Sequence, residues 1–543
     1  MVSEVLKSCM LKGFLLDKEI LELFSSLTNE DAKKVVEIIS GLCIEEKVIT
    51  KNLFVKYFDK LETSYLLKGC GTNILNFFKE VGYNKNNAVK KEENEEITGK
   101  IRLISAPAFP QKKIEVKDFV KHFRSRYEII RSFLENKNLD NLSSIRKIGE
   151  ERSNYTIIAA VVNKKITKNK NLFIEVEDLT GNIFVLVNQN KKEVFEKARE
   201  LLEDDIVAFS ASGNREILFA NDIIFPEAVL EEKKYGILDE YVAFTSDFHA
   251  GSKMFLEKNL LKFVRWLNGC GDDEKQNEIA KKVKYLFIVG DNIDGVGHMP
   301  GQERLLIEKT TTGQYEIVEK ILNQIRKDIK IIMCPGQHDS VWVGEPQPII
   351  GERWAPGLHK INNLLLVPNP AMVEIDDSFK ILMYHGASIN RFIDEIPAIR
   401  TMYGHDRPTL VVKEMVKRRH LAPVHGLMDY IPCEKGDSLV IKDIPDIIAT
   451  GDQHRAEVSN YNNILLIASS CWQSTTPFEE KVGNNPDPCK VPLFNLKTRE
   501  VKILDFSDEI KENSSHKNDN KIFCEDGKKV QESNDVVEVK NGR

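Results

Sequence analysis

The chain has 543 residues, of which 42% are apolar and 29% charged, and its formal net charge at pH 7 is −6. This acidic balance excludes a protein that is basic overall, so any contact with DNA must use local basic patches. Nine scattered cysteines with no C-x-x-C pair argue against a disulfide framework or a zinc ribbon and for a cytoplasmic protein. We expect no signal peptide, and because no run of about 18 apolar residues occurs we expect no membrane span.

The beginning of the chain is predicted to form helices followed by a polar linker. Apolar residues recur at helical spacing in residues 1–80, as at Leu16, Ile20 and Phe24, which predicts a small N-terminal helical domain. Residues 81–150 open with a charged stretch that has few large apolar groups, as is typical of a linker. Because they end with a charged helical run, we assign them to a linker and helical connector.

Residues 151–230 have the pattern of a β-barrel. Alternating β-branched runs predict five short strands, and Gly181-Asn182 lies between two of them as the signal of a tight hairpin. A helical run falls between the third and fourth strands, so the pattern predicts an OB-type barrel. Such barrels hold single-stranded nucleic acid or protein neighbours, and the sequence leaves both open. Four lysines near the first connection are interpreted as a solvated loop: Lys164, Lys165, Lys168 and Lys170.

Residues 239–505 alternate strand-like and helical runs, which predicts a layered α/β domain. The first apolar run, residues 241–244, is followed by Asp247 and His249. In an extended chain, residues i and i+2 point to the same side, so this carboxylate and imidazole converge on a metal site or on a local hydrogen bond. Residues 506–543 are low in apolar content, and we predict a disordered tail there.

Five polar blocks follow apolar runs in this domain, in the order DFH, GDNID, GQHD, YHG and GDQH. They offer carboxylate, amide and imidazole ligands without a thiolate, a donor set that suits Mn, Fe or Zn. Two divalent ions about 3.5–4 Å apart can clamp an in-line displacement at phosphorus. One carboxylate must bridge such a pair, and Asp291 at its strand end fits that position.

The order of these blocks resembles the calcineurin-like metallophosphoesterase superfamily, whose α/β fold is a β-sandwich flanked by helices. With the barrel and the helical N-terminal region, the layout over roughly residues 1–505 resembles the small subunits of archaeal family-D DNA polymerases. The B-subunits of eukaryotic replicative polymerases share the barrel and phosphoesterase domains, but their metal motifs are decayed, whereas here the motifs are mostly intact. The resemblance implies a 3′–5′ exonuclease that acts on single-stranded or mispaired 3′ ends of DNA, in a heterodimer with a large catalytic polymerase subunit.

The resemblance also implies a role for each residue of the blocks. The metal ligands fall on seven residues: Asp247, His249 and His454 for the first ion, Asp291 between the ions, and Gln337, His385 and Asp452 for the second. His338 matches the histidine that faces the scissile phosphate, and Asp294 and Asp339 would orient the ligands and this histidine. Gln337 stands where the family has asparagine and Asp452 where it has histidine. This shift toward oxygen makes two Mn²⁺ ions the expected cofactors, with Mg²⁺, Fe²⁺ or Zn²⁺ as alternatives.

Three alternatives stay open at this stage. The chain could be a scaffold subunit whose phosphoesterase domain only supports the polymerase, which the two altered ligands favour. It could also be a free-standing phosphatase, although the barrel and helical domain argue against that. The basic run Lys417, Arg418 and Arg419 is either a solvated helix face or a contact to DNA phosphates.

Overall fold

The computed structural model of the protein describes residues 101–508, with gaps at 111–112, 272, 377 and 427, and short pieces nearer both ends: residues 15–16, 28, 31–32, 48–49, 532–533 and 536–539. The predicted N-terminal helical domain, residues 1–80, therefore lies almost entirely outside the described residues. Within it, Leu15–Leu16 pairs in parallel with Val48–Ile49. The chain divides into two compact units, Met1–Thr98 and Gly99–Arg543. The predicted domain boundaries within the second unit stay a prediction.

A long helix follows the first described strand of this second unit. Strand β1 covers Ile101–Ser105 and helix α1 covers Val116–Glu135. Buried residues recur three or four positions apart along α1, so one face of the helix packs inward. Glu115 and Asp118 form a reciprocal capping box that satisfies backbone N–H groups at the helix start.

Five strands and one helix form a closed barrel: β2 Ser153–Ile166, β3 Leu172–Asp178, β4 Gly181–Val187, α2 Lys192–Glu200, β5 Ile206–Gly213 and β6 Leu218–Ile224. The strand order around the barrel is β2-β3-β4-β6-β5. Alternate residues such as Leu172, Ile174 and Val176 fill the interior, because successive side chains of a strand face opposite sides. The predicted strand count and helix position match the structure, and the OB-type assignment stays a prediction.

The remaining strands form two sheets. They are β7 Tyr241–Thr245, β8 Val283–Val289, β9 Lys330–Cys334, β10 Leu364–Leu366, β11 Ala371–Ile375, β12 Phe379–Met383, β13 Ile447–Thr450, β14 Glu457–Tyr461, β15 Ile464–Ala468, β16 Lys490–Asn495, β17 Val501–Asp505, β18 Glu532–Ser533 and β19 Val536–Val539. One sheet has the order β10-β9-β8-β7-β16-β17-β19-β18 and the other β14-β15-β13-β12-β11-β1. Strands β7, β8 and β9 are mutually parallel, and so are β12, β13 and β15.

The helices of this part are α3 Glu257–Leu267, α4 Glu274–Lys281, α5 Thr311–Leu322, α6 Ile389–Glu395, α7 Pro397–Met402, α8 Pro408–Arg418 and α9 Pro477–Val482. One apolar core lies between the two sheets, and two others join the outer faces of the sheets to helices. This arrangement confirms the predicted α/β class with a β-sandwich flanked by helices. None of the helices in the described part of the chain is long and apolar enough to cross a membrane.

The predicted disordered tail is wrong for six of its residues. Strands β18 and β19 lie within residues 506–543, and β19 pairs with the edge strand β17. An edge strand offers unpaired N–H and C=O groups, so a short β-branched run such as Val536–Val539 can add to it despite a polar surrounding sequence.

A buried carboxylate holds helix α1 against the sandwich. Oδ2 of Asp437 accepts from Arg126 Nε at 2.6 Å and lies 2.9 Å from His420 Nε2 and 3.2 Å from His122 Nε2. Burial alone would raise the pKa of Asp437, but Arg126 and His420 outweigh it and hold the pKa well below its usual range. The same burial, with repulsion from Arg126, lowers the pKa of His420 to about 4.

We predict that Arg126→Ala lowers the free energy of unfolding by about 3–5 kcal/mol, because it leaves the Asp437 carboxylate buried without its main cation. Arg131→Ala is the matched control on the same helix. Arg131 pairs with Glu135 at 2.8 Å, but both side chains are exposed, so its loss costs below about 1 kcal/mol. Urea unfolding of both variants measures the difference, and equal losses would contradict the assigned role of Arg126.

The stability of the fold should depend on pH through His420. The unfolded chain binds a proton at His420 near pH 6.5, whereas the folded chain binds it only near pH 4. The stabilisation is therefore complete above pH 6.5 and falls as the pH drops, with a loss of about 3 kcal/mol at pH 4. Urea unfolding at pH 7 and pH 4 should show this extra loss in the wild type and not in His420→Gln. The same pH dependence in both proteins would show that His420 does not cause the loss of stability.

Candidate metal centre

Five loops bring the predicted site residues together at one edge of the sandwich. The loops follow β7, β8 and β9 of one sheet and β12 and β13 of the other. Because the carboxyl ends of parallel strands meet at the same edge, residues about two hundred positions apart become neighbours. His249 and His454 are one such pair, with their Nε2 atoms 3.1 Å apart.

The first group of side chains contains Asp247, His249 and His454, all buried, with one donor atom of each lying within 4.8 Å of the others. His454 Nε2 lies 3.4 Å from Asp247 Oδ1, and His249 Nε2 lies 3.9 Å from the same oxygen. Two imidazole nitrogens and a carboxylate oxygen that point at one another without a direct carboxylate hydrogen bond are the arrangement expected around a cation.

The second group contains Asp247, Asp291 and His385. His385 Nε2 lies 3.2 Å from Asp291 Oδ2 and 4.0 Å from oxygens of Asp247 and Asp452. It has no hydrogen-bond partner of acceptable geometry among the described residues, although it is buried. His385 Nδ1 lies 2.7 Å from Val289 O and must donate to it, so the neutral ring would turn its Nε2 lone pair toward three carboxylates.

That arrangement requires a positive charge. Burial lowers the pKa of His385, but the neighbouring Asp291 outweighs it and the pKa is raised well above its usual value. Burial likewise raises the pKa of Asp291, and the charges of His385 and His338 bring it well below its usual range. A divalent cation would satisfy the same carboxylates and leave His385 neutral, so the residues present fit a metal centre.

Five of the site residues share the same strained backbone conformation. Asp247, His249, Asp291, Asp452 and His454 all have φ between 48° and 65°, in the left-handed region that residues other than glycine rarely adopt. Such conformations turn side chains sharply out of the strand ends.

Gly336 shows how close the packing beside these residues is. A Cβ there would lie 2.2 Å from Asp291 Oδ1 and 2.5 Å from the Asp291 backbone nitrogen, so glycine is required.

The two residues that depart from the family pattern bond to each other. Gln337 Nε2 donates to Asp452 Oδ1 at 3.2 Å, and Gln337 Oε1 is buried without a partner among the described residues. Asp452 Oδ2 accepts from Asn390 at 3.0 Å and from Gln453 at 2.7 Å. Burial, with repulsion from Asp247 and Asp291, raises the pKa of Asp452. The structure therefore brings both residues to the site, with Asp452 already held by amide donors.

His338 lies beside the first group, with ring centroids 4.8 Å from His249. Its backbone N–H donates to Asp291 Oδ1 at 2.8 Å, and its Nδ1 lies 2.8 Å from the carbonyl oxygen of Asp294. Burial lowers the pKa of His338, but the Asp291 charge and the Asp294 carbonyl outweigh it and raise the pKa. This ring is therefore suited to carry a proton.

Asp294 and Asp339 contact the predicted ligands and the loops that carry them. Asp339 accepts four hydrogen bonds of 2.9–3.1 Å, from the Gly336 and Asn292 backbones, the Asn292 amide and the Tyr315 hydroxyl. Burial, and then repulsion from Asp291, raises the pKa of Asp339 to about 6. Asp294 Oδ1 lies 3.5 Å from His249 Nδ1 and accepts from Gln473. Both positions agree with the orienting role predicted for these residues, which stays a prediction.

Glu479 is a residue of the site that the sequence motifs do not predict. This buried carboxylate lies 2.7 Å from His454 Nδ1 and so holds the ring with Nε2 toward Asp247. Burial raises the pKa of Glu479, but its contact with His454 outweighs it and the pKa is lowered. The only sequence signal is the T-x-x-E pattern from Thr476, which is also the capping box at the start of α9.

The predicted basic surface at Lys417, Arg418 and Arg419 is wrong. Arg418 is buried and donates to Asp205 at 2.9 Å, which joins α8 to the barrel. Arg419 is also buried, and its guanidinium donates to the carbonyl oxygens of Ile441 and Lys442. The half-buried Lys417 forms an ion pair with Glu200 of the barrel. Lys417 and Arg418 therefore hold α8 against the barrel and Arg419 is bonded within the sandwich, so the three cations form neither a solvated face nor a contact for DNA phosphates.

The two-sheet sandwich with Asp and His side chains gathered at its strand ends defines a protein with the calcineurin-like phosphoesterase fold. The family model for the B subunit of DNA polymerases alpha and epsilon matches residues 242–459. The DNA polymerase II small subunit of Archaeoglobus fulgidus is 34% identical over 493 residues, which cover 90% of this chain and 95% of that protein. The small subunit of Methanothermobacter thermautotrophicus is 35% identical, over 72% of this chain and 80% of that protein. The chain therefore belongs to the family of archaeal DNA polymerase II small subunits.

Solved structures that resemble the chain are more distant. A novel archaeal phosphodiesterase is 14% identical, covers 49% of this chain and 98% of its own, and has a TM-score of 0.25. Vacuolar protein sorting 29 from Cryptosporidium parvum is 15% identical, covers 49% of this chain and 90% of its own, and has a TM-score of 0.24. Likeness at these TM-scores carries no argument about activity.

We predict that Glu479→Gln weakens Mn²⁺ binding by roughly 10- to 100-fold, because the His454 ring loses the carboxylate that orients it. Glu480→Gln is the matched control, since Glu480 is the next residue of α9 and is exposed. Isothermal titration calorimetry of both variants measures the two affinities. If Glu479→Gln bound Mn²⁺ as tightly as Glu480→Gln, His454 would not depend on this contact.

Proposed function

We propose that this chain is the 3′–5′ exonuclease subunit of a replicative archaeal DNA polymerase, which hydrolyses the 3′-terminal phosphodiester of DNA. The observation that carries the proposal is the buried His385 Nε2, which has three carboxylates within 4.0 Å. Burying these carboxylates beside a neutral imidazole nitrogen costs free energy without a cation, and the same atoms are suitable ligands for a divalent cation. Membership of the polymerase small-subunit family supports DNA as the substrate.

The residues present would hold two divalent ions. Asp247, His249 and His454 would bind the first and His385 and Asp452 the second, with Asp291 between them and Gln337 Oε1 available to the second. Bound there, the two ions would activate water as the nucleophile and neutralise charge that develops on the phosphate. Mn²⁺ is the expected metal because four of these seven residues offer oxygen and none offers sulfur.

His338 would act on the phosphate as a proton donor. The Asp291 charge and the Asp294 carbonyl outweigh burial and raise its pKa, which favours the protonated ring. The Asp294 carbonyl occupies Nδ1, which leaves Nε2 as the nitrogen that can face a substrate. A protonated Nε2 would stabilise the negative charge of the transition state or donate its proton to the leaving 3′ oxygen.

Membership of this family also supports the inference that the chain has a partner subunit. The relatives are called small subunits of DNA polymerase II, and no acidic pair of a polymerase site is recognisable in this sequence. We therefore infer that the chain forms a heterodimer with a large catalytic subunit and that DNA synthesis belongs to that subunit. Removal of a mispaired 3′ end would be the use of the nuclease in such a complex.

The second candidate function is that of a scaffold subunit with little or no catalysis. The hydrogen bond from Gln337 to Asp452 favours the scaffold, because this bond occupies Asp452 Oδ1, an oxygen that the second ion would need. Asn390 and Gln453 occupy the other oxygen of Asp452. Under this alternative the first group of ligands would bind an ion without turnover.

We predict that the purified chain with Mn²⁺ shortens single-stranded DNA from its 3′ end and that His338→Ala slows this by roughly 10²- to 10⁴-fold, through loss of the proton donor. Oligonucleotides labelled at the 5′ end would give a ladder of shorter labelled products, which fixes the direction of cleavage. His425→Ala is the control, because His425 is exposed and lies outside the blocks of the site.

The outcomes separate the two candidates. Cleavage that His425→Ala retains and His338→Ala loses supports the nuclease. Equal traces from wild type and His338→Ala, with Mn²⁺ still bound in calorimetry, would overturn the nuclease in favour of the scaffold.

A further inference from the structure

The outer face of the barrel carries a row of four side chains, three of them apolar, that no described element covers completely. Lys165 on β2, Phe173 on β3, Leu186 on β4 and Phe219 on β6 are successive partners in the strand registers. The strand neighbours of Phe173, Leu186 and Phe219 lie in the barrel core, so these three side chains share the outer face. Lys165 is exposed and pairs with Phe173 at the end of this row. Phe184 and Phe219 are each 37% exposed, which is unusual for two phenylalanines on one small sheet.

The rings of this face are held in place by cations and by each other. Phe173 and Phe184 stack with centroids 4.7 Å apart and planes at 21°. Lys165 Nζ lies 5.4 Å from the Phe173 centroid, and the Arg152 guanidinium lies 5.5 Å from the Phe219 centroid. Neither Lys165 nor Arg152 forms a salt bridge with any described residue. Phe173 and Phe219 thus each have beside them a cation that forms no ion pair with the described residues.

The combination of exposed rings and cations on this face distinguishes single-stranded nucleic acid from a protein partner. A protein partner would be favoured by a wider apolar patch, whereas flat rings spaced along a row with separate cations fit bases and phosphates. Lys168 and Lys170, both exposed, extend the positive charge at the β2–β3 connection. Glu175 lies opposite Phe184 on β3 as an acidic neighbour, with Asn182 Nδ2 at 3.4 Å from its carboxylate.

We propose that this outer barrel face binds single-stranded DNA, with bases on Phe184 and Phe219 and phosphates near Lys165 and Arg152. This binding site lies on the barrel, apart from the metal centre, and does not depend on the nuclease proposal. It revises the interpretation of Lys165 as part of a solvated loop.

The test is binding of a fluorescein-labelled oligo(dT) to the full chain in EDTA, followed by fluorescence anisotropy. Phe184→Ala/Phe219→Ala should weaken binding by roughly tenfold or more, because each base loses its stacking surface. Lys165→Gln/Arg152→Gln should weaken it too and reduce the dependence on salt, because fewer counterions are released. The second variant keeps both rings. If circular dichroism shows that the first variant does not fold, the affinity of the second variant tests the proposal.

Two controls match these variants. Tyr235→Ala removes an aromatic ring that is 63% exposed outside the barrel strands and should bind as the wild type does. The second control is the EDTA itself: it keeps divalent ions from the metal centre, so binding in this assay does not require the nuclease, which separates the two proposals. Unchanged affinity in both barrel variants would overturn the proposal. So would barrel variants that bind DNA normally but no longer co-purify with a polymerase large subunit, since the face would then be a protein interface.

Discussion

The repulsion between buried carboxylates is the constraint on which the site depends. Oxygens of Asp247 and Asp291 lie with His385 in a group whose atoms are within 4.8 Å of one another. At that separation and an effective dielectric of about 20, two like charges repel by about 3 kcal/mol, which exceeds the net contribution of any single hydrogen bond. Only bound protons or a cation can offset such a cost, so the folded chain is built to hold positive charge at this point.

The sandwich makes this arrangement possible because its strands are rigid and its loops are not free to relax. Strands β7, β8 and β9 are buried in the two apolar cores on either side of their sheet. They fix the start of each loop, and the left-handed residues at Asp247 and Asp291 set the direction in which the side chains leave. The strained conformations persist because the packed strands hold the loops at their start.

The parts of the site that could be predicted are those that local sequence encodes. Asp247, Asp291, His385 and His454 each follow a short apolar run and a strand end, and parallel strands place such ends together. Glu479 could not be assigned, because its contact with His454 depends on how α9 packs. The burial of Arg418 could not be predicted for the same reason: its partner Asp205 is more than two hundred residues earlier, and the charge pattern does not show which cations are buried.

The burial of several arginines bears on the proposed contact with DNA. The Arg418–Asp205 pair docks the barrel onto the sandwich, and the Arg126–Asp437 pair docks α1 onto it. The Arg419 guanidinium is bonded to two carbonyl oxygens within the sandwich. Buried pairs of this kind fix geometry more than they add stability. In an acidic chain, the positive charge left for phosphates must then come from exposed side chains. On the barrel, such charge coincides with exposed rings, which gives a reason why nucleic acid would contact this face instead of the basic run of α8.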